Sequence, residues 1–159
     1  MKIAIGADHA GFNLKEEIKK HLEKKGIAVI DKGTYSAESV DYPDFGEAVA
    51  EAVVQKEVDF GIVICGTGIG ISIAANKVPG IRAALCSDTF SAHSAREHND
   101  ANVLALGARV VGVGLALDIV DTFLGASFEG GRHARRVEKI AGIEEKYCKP
   151  QTSNKRERE

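Results

Sequence analysis

The sequence predicts an α/β fold in which a five-stranded parallel sheet lies between two helical layers, with one extra helix at the carboxyl end. Three observations carry this. Short apolar, β-branched runs recur between longer stretches of helical character. The runs lack polar alternation, as strands covered on both faces do. The segments richest in chemistry follow the runs directly, where an open parallel sheet presents its ligand site.

The first run, Lys2–Ala7, precedes a helix over Asn13–Lys25 that repeats Leu14, Ile18 and Leu22 on one face. Lys15, Glu16, Lys19 and Lys20 occupy the other face, so one stripe packs and the rest is solvated. Ile27–Asp31 is the second strand and Asp44–Lys56 the second helix. Phe60–Ile64, with its unbroken Ile62-Val63-Ile64, is the third strand, and a glycine-rich turn leads from it into Gly70–Lys77. Arg82–Cys86 with Asp88–Glu97, and Val103–Ala108 with Gly114–Leu124, complete the alternation. Arg132–Tyr147 is a sixth helix, with Val137, Ile140, Ala141 and Ile143 as its apolar positions. No strand follows it, which leaves two fates open: folding back onto the same sheet, or reaching across to a second subunit. The pattern is Rossmann-like, of the flavodoxin-like kind, with residues 1–147 as one domain and 148–159 as a charged, disordered tail.

Composition narrows the functional classes. The 159 residues are 44% hydrophobic and 28% charged, with a net charge of −2. Such a chain has no basic field with which to grip nucleic acid or a membrane surface, so an anion it binds must be held locally. Even Val103–Leu124, the longest apolar stretch, is interrupted by Arg109, Asp118 and Asp121 and falls short of a bilayer span. Met1-Lys2 leads straight into Ile3-Ala4-Ile5 with no signal-peptide core, which makes the cytoplasm the expected compartment. Cys65, Cys86 and Cys148 are too few and too widely spaced for a disulfide framework or a C-x-x-C zinc site.

The chemistry concentrates after the third strand. Gly66, Gly68 and Gly70 alternate at a strand-to-helix junction, where backbone N–H groups and the positive end of a helix suit a phosphate or a developing oxyanion. The glycines could equally serve only the tight turn. Position 71 is Ile71, so the spacing is not G-x-G-x-x-G, and no G-x-x-x-x-G-K-[ST] occurs. Cys65 opens the loop; as a thiolate it would be a base or nucleophile, and as a thiol a small buried hydrophobe. Ile71 stands where a cysteine phosphatase needs arginine, which disfavours covalent phosphoryl chemistry and leaves proton transfer open. Cys86 ends a strand without a glycine loop and reads as core.

His98-Asn99-Asp100 follows the fourth helix, and His98 is either an acid or base near neutral pH or part of a helix cap. Arg132 and Arg136, four residues apart, share one helix face and either clamp a phosphate or form a solvated basic face. Arg109 emerges after the fifth strand at the ligand-bearing edge. His133 ranks below the arginines around it. No H-E-x-x-H or comparable spacing asks for a metal, and no cofactor is implied.

Five segments in order, Gly6-Ala-Asp8-His9-Ala-Gly11, Asp41-Tyr42-Pro43-Asp44, Cys65-Gly-Thr-Gly-Ile-Gly70, His98-Asn99-Asp100-Ala-Asn102 and Gly130-Gly-Arg132-His133, resemble the type B ribose-5-phosphate isomerase and sugar-phosphate isomerase family. The resemblance implies an aldose–ketose isomerase acting on ribose 5-phosphate and ribulose 5-phosphate, with Cys65 as the base and His98 as the acid that opens the sugar ring. It further implies that Asp8, His9, Gly66, Thr67, Gly68, Ile69, Gly70 and Asn99 bind substrate and that Arg109, Arg132 and Arg136 hold its phosphate. No metal or cofactor is implied, and each site would be shared across a homodimer, which in turn could pair into a dimer of dimers. Two alternatives are a hexose 6-phosphate isomerase of the same family, acting on galactose or allose 6-phosphate, and a non-catalytic nucleotide- or flavin-binding module.

Overall fold

The structure, a computed structural model, describes residues 1–148. The tail expected over 148–159 therefore lies, apart from Cys148, outside the described residues. The elements run β1 (Lys2–Ala7), α1 (Phe12–Lys24), β2 (Ala28–Asp31), α2 (Tyr42–Val54), β3 (Phe60–Cys65), α3 (Ile69–Asn76), β4 (Ala83–Leu85), α4 (Thr89–Glu97), β5 (Val103–Gly107), α5 (Val113–Gly125) and α6 (Arg132–Tyr147). All strand pairs are parallel, in the order β2-β1-β3-β5-β4. Helix α2 starts at Tyr42, two residues before the expected Asp44, because Pro43 has no N–H to lose in the first turn.

Alternate strand residues feed two separate cores. Ile3, Ile5, Ile62, Ile64, Leu104 and Leu106 pack with Leu14, Ile18 and Leu22 of α1 and Ile119, Val120 and Phe123 of α5. Ala4, Val63, Cys65, Val103 and Ala105 face the other way, against Val49 and Val53 of α2 and Ile71 and Ala75 of α3. Both faces of the central strands are thus dry, which is why these strands read as continuous apolar runs. Each fully buried aliphatic side chain contributes about 1.5–3 kcal/mol of transfer free energy.

β5 inserts between β3 and β4, and this order positions the site. Cys65 pairs with Gly107 in register, so the loop after β3 and the turn after β5 become neighbours at the carboxyl end of the sheet. Ala108 N–H donates to the Cys65 carbonyl, and Arg109 N–H to that of Gly66, both at 2.9 Å. β4 is an edge strand, and its far side pairs with no strand among the described residues.

Near that end, Lys15 is wholly buried and pairs with Asp31 at 2.5 Å and Glu16 at 3.1 Å, while Lys19 reaches the same Asp31 oxygen at 2.8 Å. Burial works to raise the Asp31 carboxyl, but hydrogen bonds from Lys15, Lys19 and the Gly33 N–H outweigh it and hold it below the usual carboxylate range. Asp31→Asn strips Lys15 of its closest partner and should lower the unfolding free energy by about 3 kcal/mol at pH 7, read by denaturant melts. Asp31 titrates lower when folded than unfolded. Its contribution is therefore complete above about pH 4 and is lost as pH falls through the folded-state value, so the two proteins should converge in acid.

Helix α6 packs on neither face of the sheet's core. Glu129 N–H donates to the Glu97 carbonyl just before it, and Glu144 accepts from Gly80 N–H at 3.0 Å. Both anchors lie at the amino end of the sheet. Ile140, Ile143 and Tyr147 remain exposed along the helix.

Candidate active site

At the carboxyl rim, Cys65 is buried and its Sγ accepts a hydrogen bond from Gly68 N–H at 3.1 Å. The bond closes the loop back onto the cysteine and requires Gly68 to adopt φ +77°, where an L side chain is strained; a Cβ there would also meet Leu106 backbone at 2.8 Å. Gly68 caps α3, whose first turn turns its N–H groups toward this rim. Thr67 is exposed on the loop, and its Oγ1 accepts from Ile69 N–H at 3.2 Å. The Arg109 side chain lies over Gly66, with Nη1 3.4 Å from where a Cβ would sit, and is exposed to solvent.

Asp8 and His9 complete this rim from the end of β1. Asp8 Oδ1 accepts from Ala10 and Gly11 N–H at 3.0 and 3.1 Å, which fixes the turn into α1. His9 Nδ1 lies 3.2 Å from both the N–H and the carbonyl of Val40, so the loop before α2 anchors the ring. Asp8, His9 and the residues Val40–Asp44 line a cavity of about 400 Å³. Tyr42 belongs here although the residue-by-residue reading passed over it: its ring sits 2.6 Å from the Cβ position of Gly70, so any side chain at 70 would displace it.

Cys86, the competing thiol, is 2% exposed, and burial, with a smaller contribution from Asp88, pushes its pKa up to about 11. A thiol so protonated at pH 7 is a poor base.

His98, Asn99, Arg132 and Arg136 are not at this rim. His98 closes the last turn of α4, its N–H donating to the Ser94 carbonyl at 2.8 Å. The following residues are fastened to the start of the sheet: Arg82 Nε donates to the Asn99 and Asp100 carbonyls, and Asn102 Oδ1 accepts from Arg82 N–H at 2.8 Å. Arg96 Nη1 adds a bond to Asp100 at 2.9 Å. The five residues of β5 separate this end from Cys65, roughly 15 Å at about 3.3 Å per residue. Arg132 and Arg136 stand exposed beside His98 at the amino end, because the His133 ring between them stacks on the His98 ring with centroids 4.2 Å apart. One chain therefore carries two separate groups of candidate residues at opposite ends of its sheet, Cys65 with its glycine loop and His98 with Arg132 and Arg136.

Glu129 and His133 also escaped the sequence reading as partners of His98. Among the described residues, donor atoms of His98, Glu129 and His133 fall within 4.8 Å of one another, a cluster that only the fold assembles. The two imidazole planes differ by 12°, so their in-plane lone pairs run side by side instead of converging as metal ligands do.

Against known proteins, a family described as ribose/galactose isomerase matches residues 3–140. Ribose-5-phosphate isomerase B of Escherichia coli K12 is 61% identical over 145 residues, which cover 91% of this chain and 97% of that one. The galactose-6-phosphate isomerase subunit LacB of Clostridium acetobutylicum is 46% identical over 91% of this chain and 83% of its own. The structure of Clostridium thermocellum ribose-5-phosphate isomerase B superposes with a TM-score of 0.92 at 69% identity, covering 92% of this chain and 99% of that one.

Proposed function

Because the chain belongs to the ribose/galactose isomerase family, we propose that it interconverts ribose 5-phosphate and ribulose 5-phosphate in sites that two subunits share. The observation that carries the shared site is the separation of Cys65 from His98 along a single sheet.

The Cys65 thiolate takes the proton from C2 of the open-chain aldose and returns it to C1, while the O2 hydroxyl proton passes to O1 in the enediolate, so that C2 becomes the carbonyl and C1 the hydroxymethyl carbon. Backbone amides of the Gly66–Gly70 loop hold the enediolate oxygen in between, where preorganised dipoles act on charge as it develops. Before that step, His98 of the partner subunit protonates the ring oxygen of the furanose as the C1–O bond to it breaks, the C1 hydroxyl passes its proton to solvent water, and the aldehyde forms. Asp8, His9 and Thr67 with the partner subunit's Asn99 bind the sugar hydroxyls. The phosphate lies between Arg109 of one subunit and the partner subunit's Arg132 and Arg136. These residues supply a base, an acid, an oxyanion site and a phosphate clamp, so the reaction needs neither metal nor cofactor.

Apolar exposure supports the assembly. Ile69 and Ile73 of α3, Leu85 of β4 and Phe90 of α4 are 42–80% exposed beside the free edge of the sheet. Two copies joined there about a two-fold axis across the strands bring the carboxyl rim of one to the amino rim of the other, at both ends at once. A pair of such dimers would form a tetramer. Among the described residues no helix is long and apolar enough to cross a membrane, and the three free cysteines and a phosphorylated substrate fit the cytoplasm.

Turnover on different sugars tests the substrate. Ribose 5-phosphate should be converted roughly 10-fold or more faster than galactose or allose 6-phosphate, the scale on which a pocket senses one extra carbon. Activity should survive exhaustive chelation. Faster hexose turnover would move the chain to the galactose branch of the family, and activity lost to the chelator and restored by a divalent ion would overturn the metal-free mechanism.

A further inference from the structure

We propose, on the reading of His98 as the ring-opening acid, that His133 is the positioning residue for it: its buried imidazole is a flat platform that fixes the orientation of the His98 ring.

The contact geometry singles it out. His98 is held through its backbone at the end of α4, but its side chain is 40% exposed, and its nearest carboxylate, Glu97 Oε2, stands 3.8 Å from Nε2, beyond hydrogen-bonding range. What restrains the ring is the face of His133, at 4.2 Å and 12° from parallel. His133 is itself 6% exposed. Its N–H donates to Gly130, and the preceding Glu129 N–H donates to Glu97, the residue before His98, so the two rings are stitched together through two short segments of backbone.

The chemistry of His133 points the same way. Its Nε2 is buried without a hydrogen-bond partner, although Glu129 Oε2 lies 3.4 Å off at a poor angle. What this ring presents to His98 is its face. Burial first, and then the positive charge of His98, Arg132 and Arg136, hold its pKa below the usual imidazole range against the opposite pull of Glu129. A neutral ring accepts an imidazolium against its face, whereas two imidazolium rings would repel. The face of His133 is therefore compatible with a proton donor stacked against it. A donor displaced by about 1 Å loses on the order of 10²-fold in rate, which is the margin a platform protects.

Two variants that fill the same buried volume separate this role from others. His133→Phe keeps a flat face and His133→Leu does not. On ribose 5-phosphate, His133→Leu should lose roughly 10- to 100-fold in kcat with KM within about 2-fold, and His133→Phe should stay within about 3-fold of wild type. In a His98→Ala background, His133→Leu should cost nothing further, since its effect passes through His98. The inference is overturned if Phe is as damaging as Leu, if KM rises in both as it would for a direct phosphate ligand, or if the Leu substitution costs as much without His98 as with it. His98→Ala alone tests the underlying assignment separately. If that variant is as active as wild type, His98 is not the acid; if it is inactive while His133→Leu is unimpaired, only the platform is wrong.

Discussion

Cys65→Ala is expected to abolish isomerisation, by ~10²–10⁴-fold or more, while leaving the protein folded. General acid–base groups contribute on this scale, and no other thiol or imidazole of the same chain stands at the carboxyl rim in a position to take over from Cys65 except His9, whose Nδ1 is occupied by Val40. The structural cost is small by comparison. The substitution removes one buried sulfur and leaves Gly68 N–H without its acceptor, which together cost about 1–3 kcal/mol. Steady-state assay and a thermal melt on the same preparation separate the two effects. Cys86→Ala should keep most activity, since that thiol is buried in the core against α4 and α5 and held protonated. If Cys86→Ala abolishes turnover while Cys65→Ala spares it, the base has been assigned to the wrong strand.

Much of this architecture is legible in the amino-acid order because it is local. Ile62-Val63-Ile64 announces a strand covered on both sides, and the two cores confirm that each of its faces is dry. Leu14, Ile18 and Leu22 fall on one stripe of α1, and all three are buried. The glycine alternation at 66, 68 and 70 marks the tight strand-to-helix loop, with Gly68 bearing the positive φ that such a turn demands.

What the sequence conceals is what depends on distant parts of the chain. The insertion of β5 beside β3, which brings Arg109 over Gly66, follows from sheet order and leaves no local trace. Tyr42 meets Gly70 through the packing of α2 on α3, 28 positions away in the chain. His133 reaches His98 only because α6 lies across the amino end of the sheet. One further feature was within reach. A residue at the end of a helix that follows a strand returns to the amino end of the sheet, so the separation of His98 from Cys65 is implied by the βα alternation itself.

That separation is the center of the account, and mixing two inactive proteins measures it directly. Cys65→Ala protomers keep a working His98 and Arg132–Arg136 half-site, and His98→Ala protomers keep a working Cys65 half-site. When the two are combined under conditions that allow subunit exchange, each heterodimer rebuilds one intact site from the sound half of each chain and leaves its other site doubly deficient. Random pairing makes about half of the dimers hybrid, each with one of two sites working, so activity should rise from the background of the parents toward about a quarter of wild type. Each parent is first shown to be folded and dimeric, and exchange is followed with differently tagged chains. Recovery to that level is the predicted result. If hybrids form and activity stays at that of the parents, Cys65 and His98 do not meet across an interface, and the shared site is contradicted.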